Sequence, residues 1–164
     1  MPAKPKPTAA DWKILARYGV TPDNLTVGRS LDLSGTAITA LPNGLTVGGW
    51  LDLRGTAITA LPNGLTVGWW LDLRGTAITA LPDGLTVGGW LDLSDTAIPP
   101  LYTDPRGYRL DRAGDHYHAG CRRFTAAKAI AHWGSPFYPD RQRGAAYVAA
   151  VESEEARRKA KAAA

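Results

Sequence analysis

Residues 51–70 read LDLRGTAITALPNGLTVGWW, and this twenty-residue unit recurs on both sides of itself with almost no change. Residues 31–50 and 71–90 are the other full copies, while residues 21–30 and 91–102 are half copies at the two ends. Self-similarity at a fixed period of this size marks a solenoid, whose units are too small to bury their own apolar faces and are stable only when stacked. The middle of the chain is therefore predicted to be a stack of coils.

Within one unit the apolar positions are Leu51, Leu53, Ile58, Leu61, Leu65 and Val67. The first two alternate with Asp52 and Arg54 in the period of a half-buried strand, which predicts one short strand per unit. Gly55, the run Pro62-Asn63-Gly64 and Gly68 fix or relax backbone angles and place the bends. Thr56 and its equivalents Thr36, Thr76 and Thr96 fall where the chain leaves the strand. They are expected to form a hydroxyl ladder between neighbouring coils.

The core LxLxxTxIxxLP, in residues 51–62 and their copies, resembles the LxLxxNxLxxLP core of the short bacterial leucine-rich repeat, with Thr where that family's ladder residue is Asn. The likeness covers residues 21–102, about half the chain. It implies an α/β solenoid, a leucine-rich-repeat arc with parallel strands on its concave side and irregular loops on its convex side.

The net charge of +4 is unevenly distributed. Residues 1–20 carry a net +3, residues 21–102 a net −4 and residues 103–164 a net +5. Acidic repeats thus stand between basic flanks, and no face of the solenoid is basic as a nucleic-acid footprint would require. Cys121 is the single cysteine, which excludes an intramolecular disulfide and suits a reducing compartment. No apolar run has the length of a signal-peptide core or a membrane span. A soluble cytoplasmic protein is expected; a secreted effector acting inside a host cell is the alternative.

Residues 1–7, MPAKPKP, have nothing to bury and are expected to be a disordered arm. Thr8 with Asp11 three residues on matches a capping box, Trp12, Leu15 and Tyr18 recur at helical spacing, and Gly19 is a stop. Residues 8–20 are therefore read as a capping helix covering the open apolar end of the first coil. The repeats decay at Ile98-Pro99-Pro100, where two prolines block another coil. Residues 103–151 read as a small α+β module. A hairpin flanks Arg112-Ala113-Gly114-Asp115. A short helix starts at Phe124-Thr125 with Thr125 as N-cap and runs through Ala127, Ile130 and Ala131 to Gly134. A second helix opens near Asp140 and carries Tyr147, Val148 and Val151 on one stripe. Residues 152–164 read as a polar tail, helical or frayed. The module resembles the tail modules that follow such repeats in bacterial and phage proteins, a likeness that implies no activity.

Three constellations carry chemistry. In the repeats, the residues flanking the two buried leucines form columns: Trp50, Trp70 and Trp90 below Ser30; Asp32, Asp52, Asp72 and Asp92; and Arg54 and Arg74 between Ser34 and Ser94. At a strand spacing of ~4.8 Å the tryptophans make a stripe roughly 10 Å long beside a carboxylate row. Tryptophan and arginine are enriched at binding hot spots, and an exposed aromatic stripe is unusual on a monomer. The competing reading is structural: the indoles stack on one another and the Asp row pairs with Arg54 and Arg74 to hold register. Four strands at that spacing span only about 15 Å, against roughly 800 Å² per partner in a standard interface. The expected partner is narrow, such as a peptide or loop, unless the basic module shares the contact.

The second constellation, Asp115, His116, His118, Cys121 and His132, has zinc-ligand residue types. Strand alternation opposes that use, because Tyr117, Ala119 and Cys121 share a face with Leu110 while His116 and His118 point to the other. No metal and no cofactor are expected. Leucine-rich bacterial effectors that act as ubiquitin ligases keep a catalytic Cys followed two residues later by Asp; Cys121 is followed by Arg122 and Arg123 instead. The third constellation is a candidate basic patch of Arg106, Arg109, Arg112, Arg122, Arg123, Arg141 and Arg143, with Tyr108, Tyr117 and His118 among them. Such a set suits phosphate or carboxylate; its plainer reading is a solvated rim paired with Asp104, Asp111, Asp115 and Asp140.

The expected function is non-catalytic binding of a protein or peptide partner through Trp50, Trp70, Trp90, Asp52, Asp72, Asp92, Arg54 and Arg74. Near-identity of the copies points to recent duplication, as in bacteria and their mobile elements such as phage, where such a binder modulates a host protein. The alternative is a nucleic-acid-associated protein using the arginine cluster. No enzyme is expected, since no paired carboxylates or nucleophile and base spacing stands outside the repeats.

Overall fold

The computed structural model describes residues 4–82, 84–120 and 122–163, and the chain divides into two compact units, Met1–Pro99 and Pro100–Ala164. The first is a parallel-strand solenoid with a twenty-residue repeat. Each coil contributes two short strands, where the alternation of Leu51 and Leu53 had indicated one. Strands β1 (Thr26–Val27), β3 (Thr46–Val47), β5 (Thr66–Val67) and β7 (Thr86–Val87) form one ladder, and β2 (Leu31–Asp32), β4 (Leu51–Asp52), β6 (Leu71–Asp72) and β8 (Leu91–Asp92) the other. Both ladders are parallel and in register, Thr46 opposite Thr66 and Leu51 opposite Leu71. The second strand was missed because Thr66-Val67 is too short to display a period.

The repeat is locked by backbone hydrogen bonds that run between coils on both ladders. The Leu51 and Leu53 amides donate to the Trp70 and Asp72 carbonyls at 2.9 Å each, whereas the Thr66 and Gly68 amides donate back to Leu45 and Val47 at 3.0 and 2.8 Å. Inside the coil Leu51, Leu53, Ile58, Leu61, Leu65 and Val67 are all buried, so the six apolar positions of the unit build one continuous core, the largest stabilising contribution available to so small a repeat. Gly55 and its equivalents Gly35 and Gly75 turn with positive φ; in the last coil Asp95 takes that conformation with φ of 57°. The threonine ladder takes a different form from the one expected. The hydroxyls of Thr36, Thr56, Thr76 and Thr96 donate to the carbonyls of Leu33, Leu53, Leu73 and Leu93 in their own coils, at 2.7 to 2.8 Å. Each pins its own turn, because the hydroxyl lies three residues beyond that carbonyl and reaches it without crossing to a neighbour.

Helix α1 (Ala9–Ala16) begins with the expected capping box. Asp11 also has a second partner: its carboxylate accepts from the Thr39 amide at 2.6 Å and the Thr39 hydroxyl at 2.9 Å. One buried side chain therefore caps the helix and fastens it to the first full coil. Leu15 and Val20 are wholly buried, Gly19 ends the helix at φ of 80°, and Trp12 and Tyr18 are half-buried. Of the arm, residues 4–7 have no regular structure, and the Lys4 ammonium donates to Asn63 Oδ1 at 2.8 Å.

The second unit is an antiparallel sheet backed by two helices. Strands β9 (Tyr102–Thr103), β10 (Arg109–Ala113), β11 (His116–Ala119) and β12 (Arg122–Thr125) are ordered β12-β11-β10-β9. The hairpin is where the sequence placed it, with Ala113 opposite His116 and Asp111 opposite His118. Strands β9 and β12 had not been anticipated; each is recruited by pairing with the hairpin. Leu110 and Tyr117 pack against Ala129 and Trp133 of α2 (Ala126–Trp133) and Tyr147 and Val151 of α3 (Arg141–Ala162). The caps Thr125 and Asp140 are as expected. Helix α2 buries Ala129 and Trp133, while Ala127 and Ala131 are exposed. Helix α3 includes the polar tail, which does not fray. Glu154 is buried and bonded to Arg112 at 3.0 Å, and Glu155 accepts from the Tyr117 hydroxyl at 2.7 Å.

Two predictions follow from the solenoid. A Cβ on Gly48 would lie 2.6 Å from the Gly28 carbonyl oxygen, and one on Gly68 would collide with that of Gly48, whereas Gly28 in the first half coil has open space. Gly68→Ala is expected to lower stability by about 2 kcal/mol or more, and Gly28→Ala by less than about 0.5 kcal/mol, in equilibrium denaturation. The second concerns Asp11. Burial pushes its carboxyl up, but the amides of Thr39 and Thr8 and their hydroxyls outweigh burial and hold it below its ordinary value. A depressed carboxylate stabilises the fold above its unfolded value of ~3.9, and that contribution is lost as pH falls through the folded value. Wild-type melting temperature is therefore expected to fall more steeply below about pH 4 than that of Asp11→Asn.

Candidate functional site

The tryptophan column forms as the strand phase requires. Leu51 and Leu71 point into the core, and the indoles beside them turn outward in a stack. Trp50 and Trp70 have ring centroids 5.7 Å apart and tilted by 59°; Trp70 and Trp90 are 6.2 Å apart and 24° from parallel. Trp50 and Trp70 are half-buried by this stacking, and Trp90 at the end is 42% exposed. Trp69, which sequence reasoning passed over, is 69% exposed. Its signal was visible in the alignment of copies, since residues 49 and 89 are glycines at the same position.

The carboxylate row is not the open acidic surface that was expected. Asp52 and Asp72 are buried. Each Oδ1 accepts from the backbone amide two residues on, at 3.0 Å from Arg54 and 3.1 Å from Arg74. The arginines then lie over the carboxylates as a staircase. Arg54 reaches Asp52 at 2.6 Å and Asp72 at 3.5 Å, and Arg74 reaches Asp72 at 2.7 Å and Asp92 at 3.5 Å. Alternating signs at this spacing remove the repulsion that four adjacent carboxylates would otherwise suffer. Burial raises the Asp52 carboxyl, but bonding to Arg54, aided by the charge of Arg74, holds it below its ordinary value. Asp32 in the first coil is exposed and is served by Ser34, whose hydroxyl donates at 2.7 Å. Asp52 and Asp72 are thus enclosed, and the accessible part of the candidate surface is made of indoles and of Arg54 and Arg74, whose side chains are 46% and 41% exposed.

Three of the seven arginines of the basic patch are paired with carboxylates in the way of a rim. Arg109 bonds Asp111 at 2.9 Å, Arg112 bonds Glu154 at 3.0 Å, and Arg143 bonds Asp104 at 2.9 Å and Asp140 at 3.2 Å. Asp115 is taken by Arg158 at 2.5 Å. Tyr117 and His118 are buried, so neither is a stacking platform. Arg123 Nη2 lies 3.0 Å from His116 Nδ1, and Arg122 Nη1 lies 2.8 Å from His132 Nε2. A guanidinium can only donate, so both imidazoles accept. Among the described residues Arg106, Arg122, Arg123 and Arg141 have no carboxylate partner. Cys121 lies outside the described residues, and among those described no three His, Cys, Asp or Glu side chains converge as a metal site. No helix among them is long and apolar enough to cross a membrane.

The paired mutants Leu71→Ala and Trp70→Ala test the phase of the strand. Leu71→Ala is expected to lose ~2 to 5 kcal/mol of stability through a core cavity. Trp70→Ala, which removes two ring contacts from a half-buried indole, is expected to lose about 1 to 2 kcal/mol. Equal losses in chemical denaturation would mean that Trp70 is a core residue. Comparison of the chain with protein-family models, with curated proteins and with solved structures gives no significant match in any of the three.

Proposed function

We propose that the chain is a non-catalytic protein-binding module of the short leucine-rich-repeat type, and that its partner docks on the indole surface of Trp50, Trp70, Trp90 and Trp69. The observation that carries this reading is the exposure of Trp90 at one end of an indole stack whose coils are hydrogen-bonded on two ladders, with Trp69 exposed one residue before Trp70. Large aromatic area held on a rigid support is lost from water at low entropic cost when a partner arrives, and tryptophan is the residue most enriched at such anchors. A strand row only about 15 Å wide suits a peptide or a protruding loop. Near-identical copies support recent duplication, hence a bacterial or mobile-element source and a host protein met in the cytoplasm as the partner. With Asp52 and Asp72 enclosed, contact is apolar and aromatic, framed by Arg54 and Arg74.

Nucleic-acid association through the arginine patch ranks second, because Arg109, Arg112 and Arg143 already serve carboxylates and Arg122 and Arg123 are engaged by His132 and His116. Salt separates the two readings: phosphate binding weakens steeply between about 50 and 200 mM salt, and an indole contact does not. Proteins recovered on the immobilised chain from lysate of its native host are to be purified and titrated against wild type and Trp69→Ala/Trp90→Ala. Loss of at least about 2 kcal/mol of binding, with little change between the two salt concentrations, is the expected outcome. Undiminished binding by the double variant would defeat the proposal.

A further inference from the structure

One cleft of about 610 Å³ lies within the second unit and plays no part in the tryptophan surface. Its walls include Arg106, Tyr108, Arg122, His132, Tyr138 and Asp140. The volume falls within the roughly 300 to 1,000 Å³ of small-molecule sites.

Its lip is built by one buried carboxylate. Asp104 is buried, and its Oδ1 accepts from the backbone amides of Arg106 and Tyr108 at 2.9 and 2.8 Å, while Gly107 turns with φ of 85°. This tight loop presents Arg106 and Tyr108, the latter 58% exposed. Arg143 lies 5.7 Å from the Tyr108 ring centroid and is neutralised by Asp104 and Asp140. Arg106 and Arg122 are therefore the wall cations with no carboxylate of their own, and with Arg143 shared between Asp104 and Asp140 the three arginines and two carboxylates leave the cleft net positive by one charge. Arg122 spends one N–H on His132, whose ring is itself stacked on Phe124 at 4.9 Å; the other N–H groups of its fork remain.

Two guanidiniums without carboxylate partners, in a cleft of net positive charge, suit the anionic oxygens of a phosphate monoester, which offers three acceptors to planar donors. The aromatic walls match a planar ring, since any base has a face to stack. We propose that this cleft binds a mononucleotide, with Arg106 and Arg122 taking the phosphate and Tyr108 and Tyr138 the base.

Calorimetric titration of the full chain with adenosine and uridine 5′-monophosphate, the two nucleosides and inorganic phosphate tests the idea. Expected is one saturable site for a nucleotide, with nucleoside and phosphate each at least about tenfold weaker. Arg106→Gln, Arg122→Gln and Tyr108→Ala should each weaken binding by about tenfold. Lys128→Gln, on an exposed position of α2, and Trp90→Ala should leave it unchanged. Arg122→Lys, which keeps the charge and loses the fork, should fall between wild type and Arg122→Gln. No saturable binding at millimolar nucleotide would overturn the proposal, as would inorganic phosphate or nucleoside binding equally well, or arginine variants that bind like wild type with unchanged circular dichroism. Because Trp90→Ala reads only the other surface, failure here leaves the protein-binding proposal to its own test.

Discussion

Neighbouring coils stand close enough for their backbones to hydrogen bond on two ladders at once, and the rest of the solenoid depends on that approach. At the corner between the ladders the chain of one coil lies almost on the carbonyl of the one before, so that Gly48, Gly68 and Gly88 leave no room for a Cβ. Once backbone spacing is set there, every residue repeats its position twenty places on. The leucines superpose into one core, the indoles into one stack and the carboxylates into one row. A repeat protein thereby converts a local sequence rule into a surface of identical columns.

Columns of like residues are favourable for leucine and tryptophan and unfavourable for aspartate. The chain resolves the difference by interleaving Arg54 and Arg74 with Asp52, Asp72 and Asp92. The arginines remain partly exposed, so each contact in isolation is worth little. Their effect is to let carboxylates be buried while still capping the backbone amides of the turn that follows. In the first and last coils Ser34 and Ser94 stand in the arginine's place, and the cap persists without the staircase. The same economy governs the second unit, where Asp104 shapes a loop with one oxygen and holds Arg143 with the other. Asp11, Asp52, Asp72 and Asp104 thus shape backbone more than they display charge.

The two candidate surfaces accordingly differ in chemistry. The tryptophan stack offers area, rigidity and little charge, which are the qualities of a protein or peptide anchor. The cleft of the second unit offers concave volume, two arginines without carboxylate partners and ring faces, the qualities of a site for a small anion. Neither requires the other, and each is built from groups whose partners are accounted for by its own unit.

Periodicity alone determined the solenoid, its six core positions and the outward phase of the tryptophans, because a twenty-residue repeat admits one stacking solution and a strand alternates its faces. Local rules likewise sufficed for the capping box at Thr8, the stop at Gly19, the hairpin at Gly114 and the caps at Thr125 and Asp140. Tertiary structure alone decided what those rules do not reach. Strands β9 and β12 exist because a hairpin edge recruits them, and the second strand of each coil because a neighbour twenty residues away supplies its hydrogen bonds. The polar tail is helical and docked because Glu154 and Glu155 find Arg112 and Tyr117 about forty residues back in the chain. Most consequentially, spacing placed the aspartates beside the arginines, but only packing determined that Asp52 and Asp72 would be enclosed beneath them. Burial is a property of the neighbours, and a sequence read one residue at a time names those neighbours only where it repeats itself.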